Sequence, residues 1–218
     1  MKNLTLSATF IFLCLAVLFF CPVNLPYKVM YPVAVLSIAS LWLCPWQVTV
    51  ALICSALGDY FGACHNFLGQ MGFFMINHIF LIWYFVKRYR TKVEPDRKVT
   101  TRRKGYIAMV VMCCIALAAT AFTKVVPGSA PGLERTGVII YVLLILSMMA
   151  FALLQRSTLF ALGAVLFVFS DFILAWHKFV EPVPYRSYLV LGTYYLAQWL
   201  IFVRSTPFRI KELRHLRF

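Results

Sequence analysis

The chain has 218 residues, of which 62% are hydrophobic and only 13% are charged, and its mean hydropathy is +0.84. This composition excludes an ordinary soluble globular domain and predicts an all-α integral membrane protein. The net charge of +14 does not indicate a nucleic-acid partner, because the basic residues lie in short blocks between apolar runs of membrane-spanning length.

Eight apolar segments are long enough to be transmembrane helices, and Pro, Gly and Asn residues separate them. The first begins close to the amino terminus, but it is longer than the apolar core of a signal peptide and no cleavage motif follows it, so we interpret it as a membrane span. The pattern predicts a polytopic helix bundle that forms a single transmembrane domain over residues 1–218. In chain order, the expected helices cover residues 4–22, 28–45, 47–64, 67–86, 106–125, 137–154, 157–176 and 185–203.

A basic segment between the fourth and fifth predicted helices indicates the orientation of the chain. Nine of the 21 Lys and Arg residues fall within residues 87–104, so we expect a basic loop over 87–105. Cytoplasmic loops are enriched in Lys and Arg, which predicts that this loop is cytoplasmic. Eight spans then place both termini in the cytoplasm. The short loops and the compact length favour a bacterial cytoplasmic membrane, and no oligomeric state is predicted.

The seven cysteines lie within apolar runs or at their ends, with no Cys-x-x-Cys pair and no histidine at zinc-ligand spacing. We interpret them as small packing residues and predict neither a metal site nor a cofactor. The sequence also has no P-loop, Gly-x-Ser-x-Gly, His-Glu-x-x-His or dinucleotide-binding glycine pattern. Nucleotide-driven, serine hydrolase and metalloprotease functions therefore lose support.

Two of the seven acidic residues, Asp59 and Asp171, fall inside predicted helices. A carboxylate near the centre of a membrane helix costs about 2.5–3.5 kcal/mol on the insertion scale, so its presence indicates a function. Both helices run outward, and each aspartate lies roughly 18–21 Å from the cytoplasmic end of its helix. Two carboxyls at one depth can form an acid and base pair, one protonated and one ionised. The structural alternative is that each only bonds a polar group of a neighbouring helix.

Four further polar residues are candidates for the same site. Tyr194 and Gln198 are four residues apart and share one face of the eighth helix. His78 is near the middle of the fourth helix, where a histidine is as often a packing residue as a functional one. Lys28 begins the second helix, and its long side chain can either approach the carboxylates or extend to the lipid head groups.

The surroundings of these residues resemble the YhhN family of membrane proteins, from about residue 28 to residue 203. The segment of the seventh helix is the most specific. In one departure, the family usually has Lys directly before Pro at the start of the second helix, whereas "VMY" separates Lys28 from Pro32 here. The matching segments are "LGDYF" at 57–61, "GFFMINHIFLIWYF" at 72–85, "YVLLILSMMAFAL" at 141–153, "GAVLFVFSDFILAWHKF" at 163–179 and "YYLAQWLI" at 194–201.

The resemblance implies a lysoplasmalogenase, which hydrolyses the vinyl ether bond of lysoplasmalogens to a fatty aldehyde and glycerophosphocholine or glycerophosphoethanolamine. It implies that Asp59 and Asp171 are catalytic and that no metal or organic cofactor is needed. The expected partners are a lysophospholipid substrate and membrane lipid. The residues expected to bind substrate are Lys28, His78, Tyr141, Ser170, Tyr194 and Gln198.

Two other functions would also use a pair of intramembrane carboxylates. A proton-coupled transporter of lipids or small molecules would use them as a proton relay. An intramembrane aspartyl protease has less support, because Ala56 stands where the protease pattern Gly-x-Gly-Asp has its first glycine, and "FSD" replaces the usual Tyr-Asp.

Overall fold

The computed structural model describes residues 2–92, 101–155 and 157–215, and within those ranges the secondary structure is entirely helical. This confirms the predicted all-α class. Eight long helices correspond to the eight predicted segments. They are α1 (Lys2–Phe20), α2 (Tyr31–Leu43), α3 (Trp46–Ala63), α4 (Phe67–Lys92), α5 (Thr101–Thr120), α6 (Leu133–Leu153), α7 (Thr158–Phe179) and α8 (Arg186–His215).

The largest differences from the predicted bounds lie at helix ends rich in basic residues or proline. α8 continues to His215 instead of ending at 203, α4 continues to Lys92 and α5 begins at Thr101, because Lys and Arg are good helix formers. The predicted basic loop at 87–105 is therefore helical at both flanks, and residues 93–100 lie outside the described ranges. α2 is shorter than predicted, since Pro32 stands in its first turn and Pro45 follows its end.

Five of the described helices, α1, α4, α5, α6 and α7, are long and apolar enough to cross a membrane. The chain is thus an integral membrane protein. α2 has 13 residues, which span roughly 20 Å, less than the ~30 Å hydrocarbon core. α3 and α8 are interrupted by polar residues, among them Asp59 and Gln198. The predicted count of eight spans, the cytoplasmic termini and the single domain stay predictions.

Two helix pairs form the centre of the bundle. α7 packs along α8, and α3 packs along α4, while α6 contacts both α4 and α7. Gly163 allows the close approach of α7 and α8, because a Cβ atom there would lie 3.3 Å from the backbone oxygen of Ala197. Around these contacts the core is filled by aromatic and aliphatic side chains, including Phe85, Phe160 and Phe202. The pairs carry Asp59 on α3 and Asp171 on α7 into one interior.

A π-helical turn at Ala121–Val125 interrupts the regular hydrogen bonding at the C-terminal end of α5, and one more turn, Val126–Gly128, completes the helix. Such turns change the direction of the side chains that follow them and often occur at functional sites. Ala121 and Val125 are both buried here and face α4, α6 and α7. The apolar pattern of the sequence does not predict this irregular turn.

Candidate active site

A polar cavity of about 640 Å³ lies among α3, α4, α7 and α8. It is at the end of the bundle opposite the basic segment, where α3 and α7 end and α4 and α8 begin. Asp59 and Asp171 both line it. Its volume is within the range of small-molecule sites in proteins. The two carboxylates that were predicted to lie at one depth therefore face the same space.

Asp59 is held between α3 and α8. Its side chain is almost fully buried, and its Oδ2 atom accepts a hydrogen bond of 2.9 Å from the hydroxyl of Tyr194. One turn earlier on α3, the Ser55 hydroxyl accepts a 2.9 Å hydrogen bond from Nε2 of Gln198. Residues i and i+4 of each helix thus pair with residues i and i+4 of the other, as expected for neighbouring antiparallel helices.

Asp171 is held by two helices other than those that hold Asp59. Its Oδ2 atom accepts a hydrogen bond from the hydroxyl of Tyr141 on α6. Nε2 of His78 on α4 is 3.2 Å from that hydroxyl and 3.7 Å from Oδ2 of Asp171. The His78 ring is fully buried and makes an edge-to-face contact with Phe167. Side chains of α4 and α6 therefore fix the position of this carboxylate on α7.

An apolar pocket of about 100 Å³ adjoins the polar cavity and is formed by α4, α5, α6 and α7. Its walls are almost entirely hydrocarbon, with Tyr141 and Asp171 among the few polar residues. The two spaces share Asp171 and Leu174 of α7 and three side chains of α4, which are Phe67, Gln70 and Phe74. Asp171 consequently stands at the junction of an apolar and a polar space.

The structure brings seven of the eight predicted residues into or behind this site. Asp59, Asp171, Ser170 and Tyr194 line the polar cavity, and Tyr141 lines the apolar pocket. His78 and Gln198 support the lining through their bonds to Tyr141 and Ser55. The hydroxyl of Ser170 donates a 3.0 Å hydrogen bond to the carbonyl of Val190.

Lys28 is the predicted residue that lies apart from the others. Its ammonium is 3.2 Å from the carbonyl oxygen of Val23 and 3.4 Å from that of Cys21, and it stands over the ring of Phe19. Phe19 lines the polar cavity, whereas Lys28 lines neither space. Its expected role in substrate binding stays a prediction.

Five lining residues with charged, imidazole or amide side chains were not anticipated. Gln70 precedes His78 by eight residues on α4, Lys178 follows Asp171 by seven on α7, and Arg186 precedes Tyr194 by eight on α8. Separations of seven or eight place residues on one helical face, two turns apart. This spacing could have predicted that Gln70, Lys178 and Arg186 lie on the same helical faces as the candidate site residues. The other two unanticipated residues are His65 and His177.

Among the described residues, no group of three or more His, Cys, Asp or Glu side chains is arranged to hold a metal ion. The polar groups of the site are carboxylates, phenols, imidazoles, amides, a serine hydroxyl, an ammonium and a guanidinium. Such groups can donate and accept protons and can orient a polar substrate.

Residues 5–205 match the profile of the YhhN family. The lysoplasmalogenase TMEM86B of Rattus norvegicus is 31% identical over 160 residues, which are 72% of this chain and 60% of that protein. TMEM86B of Homo sapiens is 28% identical over 155 residues, 69% of this chain and 59% of that protein. The human lysoplasmalogenase TMEM86A is 40% identical over a shorter stretch of 55 residues, 25% of this chain and 22% of that protein.

The chain thus covers about 60% of the length of the TMEM86B relatives that it matches. No solved structure matches it. Because the profile extends over nearly all of the sequence, from α1 to α8, the chain belongs to the YhhN family.

Proposed function

We propose that this protein is a lysoplasmalogenase, a hydrolase that cleaves the vinyl ether bond of a lysophospholipid. The relatives named lysoplasmalogenase support the reaction class. The observation that carries the proposal is the position of Asp171 at the junction of the apolar pocket and the polar cavity. A lysoplasmalogen likewise has an apolar and a polar part, because its vinyl ether joins one hydrocarbon chain to a glycerophosphate head.

The substrate fits the two spaces in one orientation, with its apolar end in the apolar pocket and its polar end in the polar cavity. The part of the alkenyl chain next to the vinyl ether enters the apolar pocket, against Met71, Val142 and Ile145, and burial of its methylene groups supplies binding energy. The glycerol and head group occupy the polar cavity, which contains Asp59 and Ser170. The vinyl ether then lies beside Asp171, with Asp59 on the head-group side.

The chemistry requires one proton donor and one proton acceptor. A protonated carboxyl of the pair transfers its proton to the β-carbon of the vinyl ether, which converts the carbon bonded to oxygen into an oxocarbenium ion. The ionised carboxylate stabilises this cation and removes a proton from the water that adds to it. The resulting hemiacetal collapses to the aldehyde and the glycerol hydroxyl. Both aspartates take part in this exchange of protons.

The neighbouring polar residues fix the two carboxyl groups. Tyr194 and Tyr141 each donate one hydrogen bond to an aspartate, which holds that carboxyl at a set orientation to the substrate. His78 supports Tyr141, and Gln198 supports the turn of α3 that carries Asp59. These are positioning roles, because the residues act through the aspartates.

The test is release of fatty aldehyde by the purified protein in detergent. Lysoplasmenylcholine and lysoplasmenylethanolamine serve as substrates. We expect turnover by the wild type and a loss of at least 1,000-fold in both Asp59→Asn and Asp171→Asn, since each removes one member of the acid and base pair. Asp96→Asn, which changes an aspartate of the basic segment, is the matched control and retains wild-type turnover.

Wild-type turnover by both aspartate variants would contradict the proposed chemistry. A folded wild-type protein that is inactive on both lipids would instead favour the proton-coupled transporter. That function is measured in sealed vesicles, where transport requires a proton gradient and releases no aldehyde.

The topology belongs to the same proposal. Eight spans with both termini in the cytoplasm place the polar cavity on the non-cytoplasmic side, opposite the basic segment. The host membrane is proposed to be a bacterial cytoplasmic membrane. The enzyme then takes its lysolipid from the leaflet that faces away from the cytoplasm.

A further inference from the structure

The mouth of the polar cavity carries four basic or titratable residues, His65, His177, Lys178 and Arg186, which we call the basic rim. We propose that Lys178 and Arg186 of this rim bind the phosphodiester of a lysophospholipid head group. The proposal rests on the proposed function, and it assigns the phosphate to residues that the sequence analysis left out.

The charged residues of the cavity differ in exposure, since Asp59 is buried and Asp171 partly buried, whereas Lys178 and Arg186 are exposed. Its acidic lining residues are Asp59 and Asp171, and its cationic ones are Lys178 and Arg186 at the mouth. Within the described ranges, neither Lys178 nor Arg186 forms an ion pair with an acidic side chain. Both cations are therefore available to an anion that enters the cavity, and both are residue types that bind phosphate.

The helices place the rim at a suitable distance from the carboxylates. Lys178 lies seven residues beyond Asp171 on α7, and Arg186 lies eight residues before Tyr194 on α8. At 1.5 Å per residue these separations correspond to roughly 10–12 Å along the helix axes. A glycerol unit separates the vinyl ether from the phosphate, and long Lys and Arg side chains span the remaining gap.

The connection between α7 and α8 brings the two cations to the same edge of the cavity. The backbone N–H of Val183 donates a 3.0 Å hydrogen bond to Nδ1 of His177, which ties this connection to the end of α7. The ammonium of Lys178 stands 4.3 Å from the centre of the Phe67 ring. Phe67 lines both spaces, so this charge lies near the passage between the polar cavity, where we place the head group, and the apolar pocket, where we place the alkenyl chain.

Lys28 is the rival for the same role. Its ammonium is already within hydrogen-bond distance of two backbone carbonyls, and it does not line the cavity. A phosphate at Lys28 would have to displace those bonds. Lys178 and Arg186 require no such exchange, which is why we assign the phosphate to them.

The experiment measures binding and therefore does not depend on turnover. The probes are 1-O-alkyl-glycerophosphocholine, which has no vinyl ether, and 1-O-alkylglycerol of the same chain length, which has no phosphate. Dissociation constants are measured with the full-length protein in detergent micelles. The variants are Lys178→Gln, Arg186→Gln, the charge-conserving Lys178→Arg and Arg186→Lys, the rival Lys28→Gln, and the control Lys124→Gln, which changes an exposed cation outside both spaces.

We expect each of Lys178→Gln and Arg186→Gln to weaken binding of the phospholipid about tenfold and binding of alkylglycerol less than about twofold. The charge-conserving variants restore most of the loss, and Lys124→Gln changes neither constant. Three results would overturn the proposal. The first is that Lys178→Gln and Arg186→Gln weaken the binding of both lipids equally. The second is that neither variant weakens phospholipid binding, and the third is that Lys28→Gln alone selectively weakens phospholipid binding.

The binding result also separates this inference from the proposed function. If the wild type releases no aldehyde but the rim variants selectively lose the phospholipid, the lysoplasmalogenase assignment fails and the phosphate site stands. If the wild type cleaves lysoplasmalogens while its affinity for the two probes is the same, the enzyme assignment stands and the phosphate site fails.

Discussion

At the scale of single residues, each aspartate of the site depends on one tyrosine hydroxyl. Tyr194 holds Asp59 from α8, and Tyr141 holds Asp171 from α6. Such a hydrogen bond contributes about 1.5–3 kcal/mol when its acceptor is an ionised carboxylate and about 0.5–1.5 kcal/mol when its acceptor is a protonated carboxyl. The orientation of the two carboxyls in the site is therefore sensitive to the loss of a single oxygen atom.

Tyr141→Phe and Tyr194→Phe are each expected to lower kcat for lysoplasmenylcholine by about 10- to 100-fold. Without the tyrosine hydrogen bond, the carboxyl can rotate away from its orientation towards the substrate. The measurement is the initial rate of aldehyde release. Tyr106→Phe is the control, since its hydroxyl donates to the carbonyl of Leu153 at the opposite end of the bundle. Equal rates in the wild type and in both site variants would contradict this role.

Gly58 precedes Asp59 and leaves room for the ring of Phe74. A Cβ atom at Gly58 would lie 2.9 Å from that ring. Gly58→Ala is expected to destabilise the protein by about 1–3 kcal/mol through overpacking and to reduce activity, since Phe74 lines both spaces. Thermal unfolding in detergent measures the first effect. Gly72→Ala on α4 has nothing within 4 Å and should be neutral or slightly stabilising.

Residue spacing predicted part of this site and missed part of it. Helix geometry predicts matched depths for Asp59 and Asp171 and one shared face for Tyr194 and Gln198. In the structure both aspartates line one cavity, and Tyr194 and Gln198 bond to Asp59 and Ser55 of the same helix. The bond between Tyr141 and Asp171 joins residues on two helices whose facing sides depend on tertiary packing. Spacing along one helix cannot supply such a contact.

At the scale of elements, hydrophobicity located the helices but not their irregularities. The eight apolar segments correspond to α1 to α8, whereas the basic ends of α4 and α5 are helical although their composition resembles that of a loop. The π-helical turn at Ala121–Val125 has no marker in the apolar pattern. It is visible only through the hydrogen bonds of α5, and it places Ala121 on the apolar pocket.

Ala121→Phe is expected to fill part of the apolar pocket. The larger side chain competes with the alkenyl chain, so KM for a long-chain lysoplasmalogen should rise about tenfold while KM for a short-chain analogue changes less than about threefold. Aldehyde release across a series of chain lengths measures this difference. Ala119→Phe adds the same ring at an exposed position two residues away and is the control. If the dependence of KM on substrate chain length is unchanged in Ala121→Phe, the placement of the alkenyl chain in the apolar pocket is contradicted.

At the scale of the whole molecule, the cavity and the basic segment lie at opposite ends of the bundle. In the proposed topology the basic segment is cytoplasmic, which puts the cavity on the non-cytoplasmic side. Cys64 is an exposed free cysteine at the end of α3, next to Ala63, which lines the polar cavity. Its reactivity can therefore report on which side of the membrane the cavity opens.

Cys64 is expected to react with a membrane-impermeant maleimide added from the non-cytoplasmic side of intact cells. The measurement uses a chain in which the other six cysteines are replaced by alanine. A second chain without Cys64 carries Thr100→Cys in the basic segment and should react only after the cytoplasmic side is exposed. Reaction of both cysteines from one side would contradict the proposed topology.

The central claim is that the paired aspartates start vinyl ether hydrolysis by protonating carbon, and hydrolysis in D₂O tests it most directly. The released aldehyde is reduced at once to the alcohol and analysed by mass spectrometry, with Asp59→Asn and Asp171→Asn alongside. Our account predicts one deuterium on the carbon next to the former aldehyde carbon in the wild type, and no product above background in either variant. Wild-type product without that deuterium, or labelled product from both variants at the wild-type rate, would contradict it.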